Sequence, residues 1–270
     1  YMNSFWTKLT EFARHCLSTF DDNLFVDNHN CLLCEAELAV HAPHGLCPSC
    51  ASKLQYVGDN ICNKCGRTQR NEAEYCITCQ NYARSFDFAR SSCVYEGIAK
   101  QLVHGLKFGN KKYYGRYMAN VMAETYLNND FDCDIILAVP LSKSRLVRRG
   151  YNQSFVLAQH LSKLLKLPLD TKSLVKIKDT PEQARKSGKQ RELNVLGAYA
   201  VVNKTAICGR KVLIVDDVLT TGATTSEVAK MLYKAKAQQA QVLTFASTQF
   251  KINADKLTAE IAQQSYAEID

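Results

Sequence analysis

The sequence predicts an α/β fold in which a parallel sheet is covered by helices on both faces and preceded by a small cysteine-rich metal module. Two observations carry this expectation. From Ser91 onward, short apolar runs alternate with helical stretches, the pattern of strand–helix–strand units. Before that point, four Cys-x-x-Cys pairs crowd a segment with no long periodic stretch. At 270 residues and 46% hydrophobic, the chain has the material for one sizeable core plus a smaller attached module, which excludes a disordered class. No apolar run approaches the roughly 18–20 residues that span a bilayer, and no signal-peptide pattern opens the sequence. The expected setting is therefore a reducing cytoplasm, where 12 cysteines serve metals better than disulfides.

The first element, within residues 1–24, is an amphipathic helix. Phe5, Trp6, Leu9, Phe12, Ala13, Cys16 and Phe20 recur at three-and-four spacing. It reads as a helix packed on the neighbouring module. A membrane-surface or partner-docking helix is the alternative, and few basic residues support it.

The second element, residues 25–90, holds the pairs Cys31/Cys34, Cys47/Cys50, Cys62/Cys65 and Cys76/Cys79, separated by 12, 11 and 10 residues. Two-residue spacing lets both thiolates of a pair reach one ion, and a tetrahedral Zn²⁺ takes two such pairs. Eight cysteines predict two structural zinc ions, paired either in sequence or cross-braced, first pair with third. His41 and His44 are expected in solvent, and Cys16, Cys93, Cys133 and Cys208 as plain buried thiols.

The third element, residues 91–270, carries the apolar runs DIILAVP (134–140), KVLIVDD (211–217) and AQVLTFAS (240–247), read as buried parallel strands with helices at about 153–166 and 223–238. One of these runs ends unusually. VLIVDDVLTTGATT places Asp216 and Asp217 at the end of a strand, then a Thr-Thr-Gly turn into a helix. Such a turn offers backbone N–H groups and a helix dipole to an anion. Gly222 allows close approach, while Thr220, Thr221 and Thr224 add hydroxyls. Two carboxylates beside a phosphate make sense when the ligand also carries hydroxyls or Mg²⁺, as a ribose 5-phosphate does. The glycine spacing fits neither a Walker A loop nor a dinucleotide fingerprint.

From Val212 to Thr225 this stretch resembles the phosphoribosyl pyrophosphate (PRPP) signature of type I phosphoribosyltransferases: four apolar residues, two acids, two further residues, then Thr-Thr-Gly-x-Thr. With the cysteine pairs in front, and with YEGIAKQLVHGLKF (95–108), VPLSKSRLVRRGYNQS (139–154) and DTPEQARKSGKQRELNVLGAY (179–199), nearly the whole chain is similar to the ComF family, double-zinc-ribbon phosphoribosyltransferase-like proteins linked to natural competence.

That resemblance implies a type I phosphoribosyltransferase sheet after a double zinc ribbon, and PRPP bound with Mg²⁺ at Asp216, Asp217, Thr220, Thr221, Gly222, Ala223 and Thr224. It further implies a pyrophosphate loop at Pro140, Leu141 and Ser142, neutralised by Arg145, Arg148 or Arg149. Tyr151 and Asn152 belong to this block or simply cap the helix that starts near Gln153. Residues 179–194, with Arg185, Lys186, Lys189 and Arg191, resemble the loop that closes over PRPP; an ordinary exposed loop is the alternative. Lys107 is either an anion contact or a solvated lysine. If the protein is catalytic, Asp216 or Asp217 holds the ribose and takes a proton from the acceptor, and no base-binding pattern names that acceptor.

The net charge is +8, and residues 100–191 alone carry 18 Lys and Arg against 7 Asp and Glu. So concentrated a positive segment suggests a polyanionic partner. Tyr113, Tyr114 and Tyr117 among Lys111, Lys112 and Arg116 read either as a stacking surface for single-stranded DNA or as a half-buried helix face. Three functions are in play: a phosphoribosyltransferase, a competence factor handling incoming single strands beside other DNA-processing proteins, and a PRPP-sensing regulator.

Overall fold

The computed structural model describes residues 30–38, 45–69, 73–179 and 195–249. The expected N-terminal helix, His41, His44 and residues 180–194 lie outside the described residues.

Among the described residues seven strands are formed: β1 (Ala89–Val94), β2 (Ile135–Ala138), β3 (Leu169–Asp170), β4 (Leu174–Lys176), β5 (Tyr199–Val201), β6 (Lys211–Leu219) and β7 (Gln239–Ser247). Among the described residues the helices are α1 (Pro48–Ala51), α2 (Ile77–Asn81), α3 (Gly97–Phe108), α4 (Tyr114–Leu127), α5 (Lys143–Arg149), α6 (Gln153–Leu165) and α7 (Ala223–Lys234). Five strands make an all-parallel sheet in the order β1-β7-β6-β2-β3, while β4 and β5 pair antiparallel beside it.

The aliphatic run of β6 is central because both its faces are buried. Leu213 and Val215 meet Leu102, Met118 and Leu157 of α3, α4 and α6 on one face. Val212 and Ile214 meet Val228 and Leu232 of α7, together with Phe86, on the other. Period-two alternation thus splits one apolar run between two cores.

From β2 the chain crosses outward to β3, whereas from β6 it crosses the opposite way to β7. The carboxyl ends of β2 and β6 are therefore a topological switch point, where crossover connections diverge and leave a crevice. The pairing of β6 with β2 ends at Val215↔Ala138, while its pairing with β7 continues to Leu219↔Ser247. Asp216 and Asp217 stand where β6 has outrun its neighbour.

The cysteine-rich module is built into this sheet. Its linker covers the edge strand β1: Val57 N–H donates to Ser92 O (3.1 Å), Val94 N–H to Gln55 O (2.8 Å) and Ala89 N–H to Lys64 O (2.8 Å). An otherwise exposed edge is closed. Gly66 makes the closest approach. It has φ +66, and a Cβ there would lie 2.3 Å from Ala89 O, so only glycine fits. Cys31, Leu46, Cys50 and Leu54 join the core on the α3–α4–α6 face, whereas Cys62, Cys65 and Cys76 join the core under α7. The two knuckle pairs thus straddle the sheet edge.

Candidate functional site

Cys31, Cys34, Cys47 and Cys50 form one cluster and Cys62, Cys65, Cys76 and Cys79 another, each with its sulfur atoms within 4.8 Å of one another. Pairing is sequential, and the cross-braced alternative is excluded. The clusters repeat the same local hydrogen bonds. Cys47 N–H donates to Cys31 Sγ and Cys76 N–H to Cys62 Sγ, both at 3.3 Å. Glu35 N–H closes a turn onto Cys31 O as Gly66 N–H does onto Cys62 O. Sulfur pairs stand 3.6 Å apart (Cys34–Cys47 and Cys65–Cys76), near the edge of about 3.8 Å that zinc–sulfur bonds of about 2.3 Å require of a tetrahedron. Four soft donors at this separation fit a closed structural zinc. Of the remaining thiols, Cys93 and Cys133 are buried as expected. Cys208 is exposed, because it sits in the turn before β6, and Cys16 lies outside the described residues.

At the switch point, α6 and α3 hold one acid each. Asn152 caps α6, its side chain accepting from Ser154 N–H (3.1 Å) while its amide donates to Val139 O (3.0 Å). Ser154 Oγ is thereby aimed at Asp216 Oδ1, 2.7 Å away, which also accepts from Asp217 N–H (2.9 Å). Lys107 Nζ of α3 pairs with Asp217 Oδ2 at 2.6 Å. Burial, then the negative charge of Asp217, push the Asp216 carboxyl up to about 7, against the Ser154 hydrogen bond and the Lys107 charge. For Lys107, burial works against the ammonium, but the Asp217 contact and the Asp216 charge outweigh it and raise its pKa. Lys107 is thus not a freely solvated lysine: it is a counter-ion of the acid pair.

In the turn that follows, Thr221 Oγ1 accepts from Ala223 N–H (3.3 Å). Thr220 is exposed, Thr221 and Thr224 are partly exposed, and Ala223 is buried. Gly222 has φ +76 and caps α7, with Thr225 Oγ1 donating to Gly222 O (3.1 Å). The chain's conformation there is one that only glycine takes without strain. Arg84 and Phe86, on the chain leaving the second cysteine cluster, lie against Gly222: an added Cβ would stand 3.6 Å from each. The pattern VDDVLTTG gives no sign of either residue.

The loop after β2 borders the same crevice. Pro140 and Leu141 are partly exposed, and Ser142 is buried with its Oγ 3.3 Å from Ser144 Oγ. Arg149 closes α5 at the end of this block. Its guanidinium donates to Gln153 Oε1 (3.1 Å) and lies 5.0 Å from the Phe108 ring centre. Lys176 of β4, over the Tyr199 ring at 5.3 Å, is a further cation that sequence reasoning missed, since it sits in a three-residue strand. Burial and the Arg145 charge pull its pKa down to about 8, while Asp179 and Asp216 oppose them. The tyrosine cluster falls to its bland reading. Tyr114 and Tyr117 are buried, with Tyr114 Oη donating to Leu32 O (2.8 Å), and only Tyr113 is substantially exposed. Among the described residues no helix is long and apolar enough to cross a membrane.

A parallel sheet with an acid pair and glycine turn at its switch point, behind two four-cysteine knuckles, defines a phosphoribosyltransferase-type domain carrying a double zinc ribbon. Family models agree: one described as Double zinc ribbon domain matches residues 23–80, and one described as Phosphoribosyl transferase domain matches residues 152–264. Competence protein F of Haemophilus influenzae is 30% identical over 221 residues, covering 80% of this chain and 95% of that protein. The chain belongs to the ComF family. DNA utilization protein YhgH of Escherichia coli strain K12 is 29% identical over 217 residues, covering 78% of this chain and 94% of its own. Competence protein ComFC of Bacillus subtilis is 27% identical over 235 residues, covering 80% and 92%. Among solved structures, the glutamine PRPP amidotransferase of B. subtilis aligns over 53% of this chain and 30% of its own at 18% identity with a TM-score of 0.38, too partial a likeness to add to the family evidence.

Proposed function

We propose that this protein binds PRPP with Mg²⁺ at the end of β6 and acts in natural competence, handling incoming single-stranded DNA in the cytoplasm alongside other DNA-processing proteins. The observation that carries the ligand is the arrangement around Gly222: hydroxyls and a helix N-terminus on one side of the turn, two carboxylates on the other. A phosphate and a sugar diol are the two halves of one ligand that such a turn suits. Thr220, Thr221, Gly222, Ala223 and Thr224 take the 5-phosphate, and Asp216 and Asp217 the ribose hydroxyls. Pro140, Leu141 and Ser142 border the pyrophosphate, with Lys107 balancing the acids. Mg²⁺, when bound, neutralises the pyrophosphate charge. The relatives' names, competence protein and DNA utilization protein, support the process.

A second reading, transfer of the phosphoribosyl group to an acceptor, is favoured by Asp216 itself. A carboxyl at about 7, mostly buried and held by Ser154, suits proton transfer near neutral pH. Pyrophosphate release measured over a panel of bases separates the readings. Release with one acceptor establishes the enzyme. Silence with all of them, together with salt-sensitive binding of single strands and PRPP binding that survives, supports the competence factor without turnover. Loss of all three would overturn both.

A further inference from the structure

With Tyr114 and Tyr117 buried, Phe108, at 57% exposure, is a described aromatic side chain that faces solvent next to the acids' partner Lys107. It ends α3, one residue after Lys107, which holds Asp217. The guanidinium of Arg149 lies 5.0 Å from its ring centre, and the exposed His104 ring, one turn back on α3, is tilted against it at 4.8 Å. Arg149 is itself tied to the site: it donates to Gln153, the neighbour of Ser154, which holds Asp216. Tyr151 Oη donates to Leu106 O, locking the two segments together. The ring thus comes from the residue next to Lys107, and the guanidinium is hydrogen-bonded to the residue next to Ser154. They are carried by helix ends, not by a free loop.

The adjoining helix is basic, and Asp179 reaches its first turn through Ser142 and Ser144. The neighbouring α5 has the sequence KSRLVRR, with four cations, no acid and no buried residue. An exposed apolar ring rimmed by π-stacking and cationic groups fits a partner that is both flat and anionic. We propose that Phe108, flanked by Arg149 and His104, is a stacking platform for a nucleobase of single-stranded DNA, whose phosphates run along α5. The proposal rests on the reading of the protein as a single-strand handler and adds to it the place where a base sits, at the mouth of the PRPP site.

The test uses the full zinc-loaded chain and a fluorescein-labelled oligothymidylate, read by anisotropy at fixed salt. Stacking on one aromatic ring corresponds to about 5- to 150-fold in affinity, so Phe108→Ala should weaken binding by that factor, and Phe108→Tyr should restore most of it. Because the ring is exposed, zinc content and melting temperature serve as checks that the variant is folded. Phe108→Trp adds a direct signal: its fluorescence, above the Trp6 background, should be quenched by the strand. Parallel titration with thymidine monophosphate distinguishes sources, since quenching by the mononucleotide at equal affinity identifies a free nucleotide as the occupant. Unchanged affinity in Phe108→Ala and no quenching in Phe108→Trp would overturn the platform while leaving the DNA reading intact. A parent protein that binds neither strand nor mononucleotide would overturn both, and PRPP calorimetry reports on the donor site separately.

Discussion

The ion pair between Lys107 and Asp217 is the contact on which the acid pair depends most heavily. Its atoms are 2.6 Å apart, with side chains 21% and 8% exposed. Removing the cation in Lys107→Met keeps the apolar stem but leaves Asp217 buried beside Asp216 without a counter-charge. Breaking a fully buried pair costs about 3–5 kcal/mol, and the partial exposure of Lys107 lowers that to about 2–4 kcal/mol. For a domain of this size each kcal/mol is worth roughly 2–4 °C, so the melting temperature should fall by roughly 5–15 °C. Asp217→Asn alone should cost less, since an amide needs no counter-charge. In Lys107→Met with Asp217→Asn, most of the loss should return. Urea unfolding of all four proteins at pH 7.5 gives the coupling energy, expected at about 1–3 kcal/mol. Strict additivity, with coupling under about 0.5 kcal/mol, would refute the claim that these two charges hold each other in place.

Three further outcomes follow from the same geometry. Gly222→Ala has room for its methyl group, 3.6 Å from Arg84 and Phe86, but not the backbone freedom for φ +76, so it should cost about 1–2 kcal/mol in urea unfolding and loosen PRPP binding. Equal stability to the parent would show that the turn is not strained. The raised carboxyl of Asp216 makes the folded state hold a proton that the unfolded chain releases near pH 4. Its contribution is therefore complete below about pH 4 and is lost as pH rises toward 7, at roughly 1.4 kcal/mol per unit. Asp216→Asn removes that dependence, so the stability difference between variant and parent should grow in the variant's favour from pH 4.5 to 7.5; a flat difference would contradict the raised carboxyl. Metal analysis should give two zinc ions per chain. Cys62→Ser, whose cluster joins the core under α7, should lower both zinc content and PRPP affinity, whereas retained PRPP affinity would separate that cluster from the turn.

Much of this architecture is legible because its signals are local. The runs at β2, β6 and β7 are apolar enough to be read as buried strands, and the ends of α6 and α7 lie within a few residues of where periodicity and turn residues put them. The cysteine spacing yields the two clusters directly, but their pairing is settled only in three dimensions. β1 is hidden for a physical reason. Its Ser91 and Ser92 are buried, satisfied by Thr244 (2.7 Å) and Thr125 (2.7 Å), partners far away in the chain. The acid pair and glycine turn stand out as a motif. What the motif omits are side chains supplied by other elements: Ser154 and Lys107 on the acids, Arg84 against Gly222, Lys176 over the Tyr199 ring. The tyrosine cluster misleads because periodicity marks a helix face without saying which way it points, and Tyr114 and Tyr117 point inward.

PRPP binding at the β6 turn is the reading on which the rest depends. Calorimetry of PRPP with Mg²⁺, on the zinc-loaded parent and on Asp216→Asn with Asp217→Asn, tests it most directly. Saturable binding to the parent, lost in the double variant while two zinc ions and the folded signal remain, is the predicted result. PRPP affinity that is absent from the parent, or unchanged when both acids are neutralised, would contradict it.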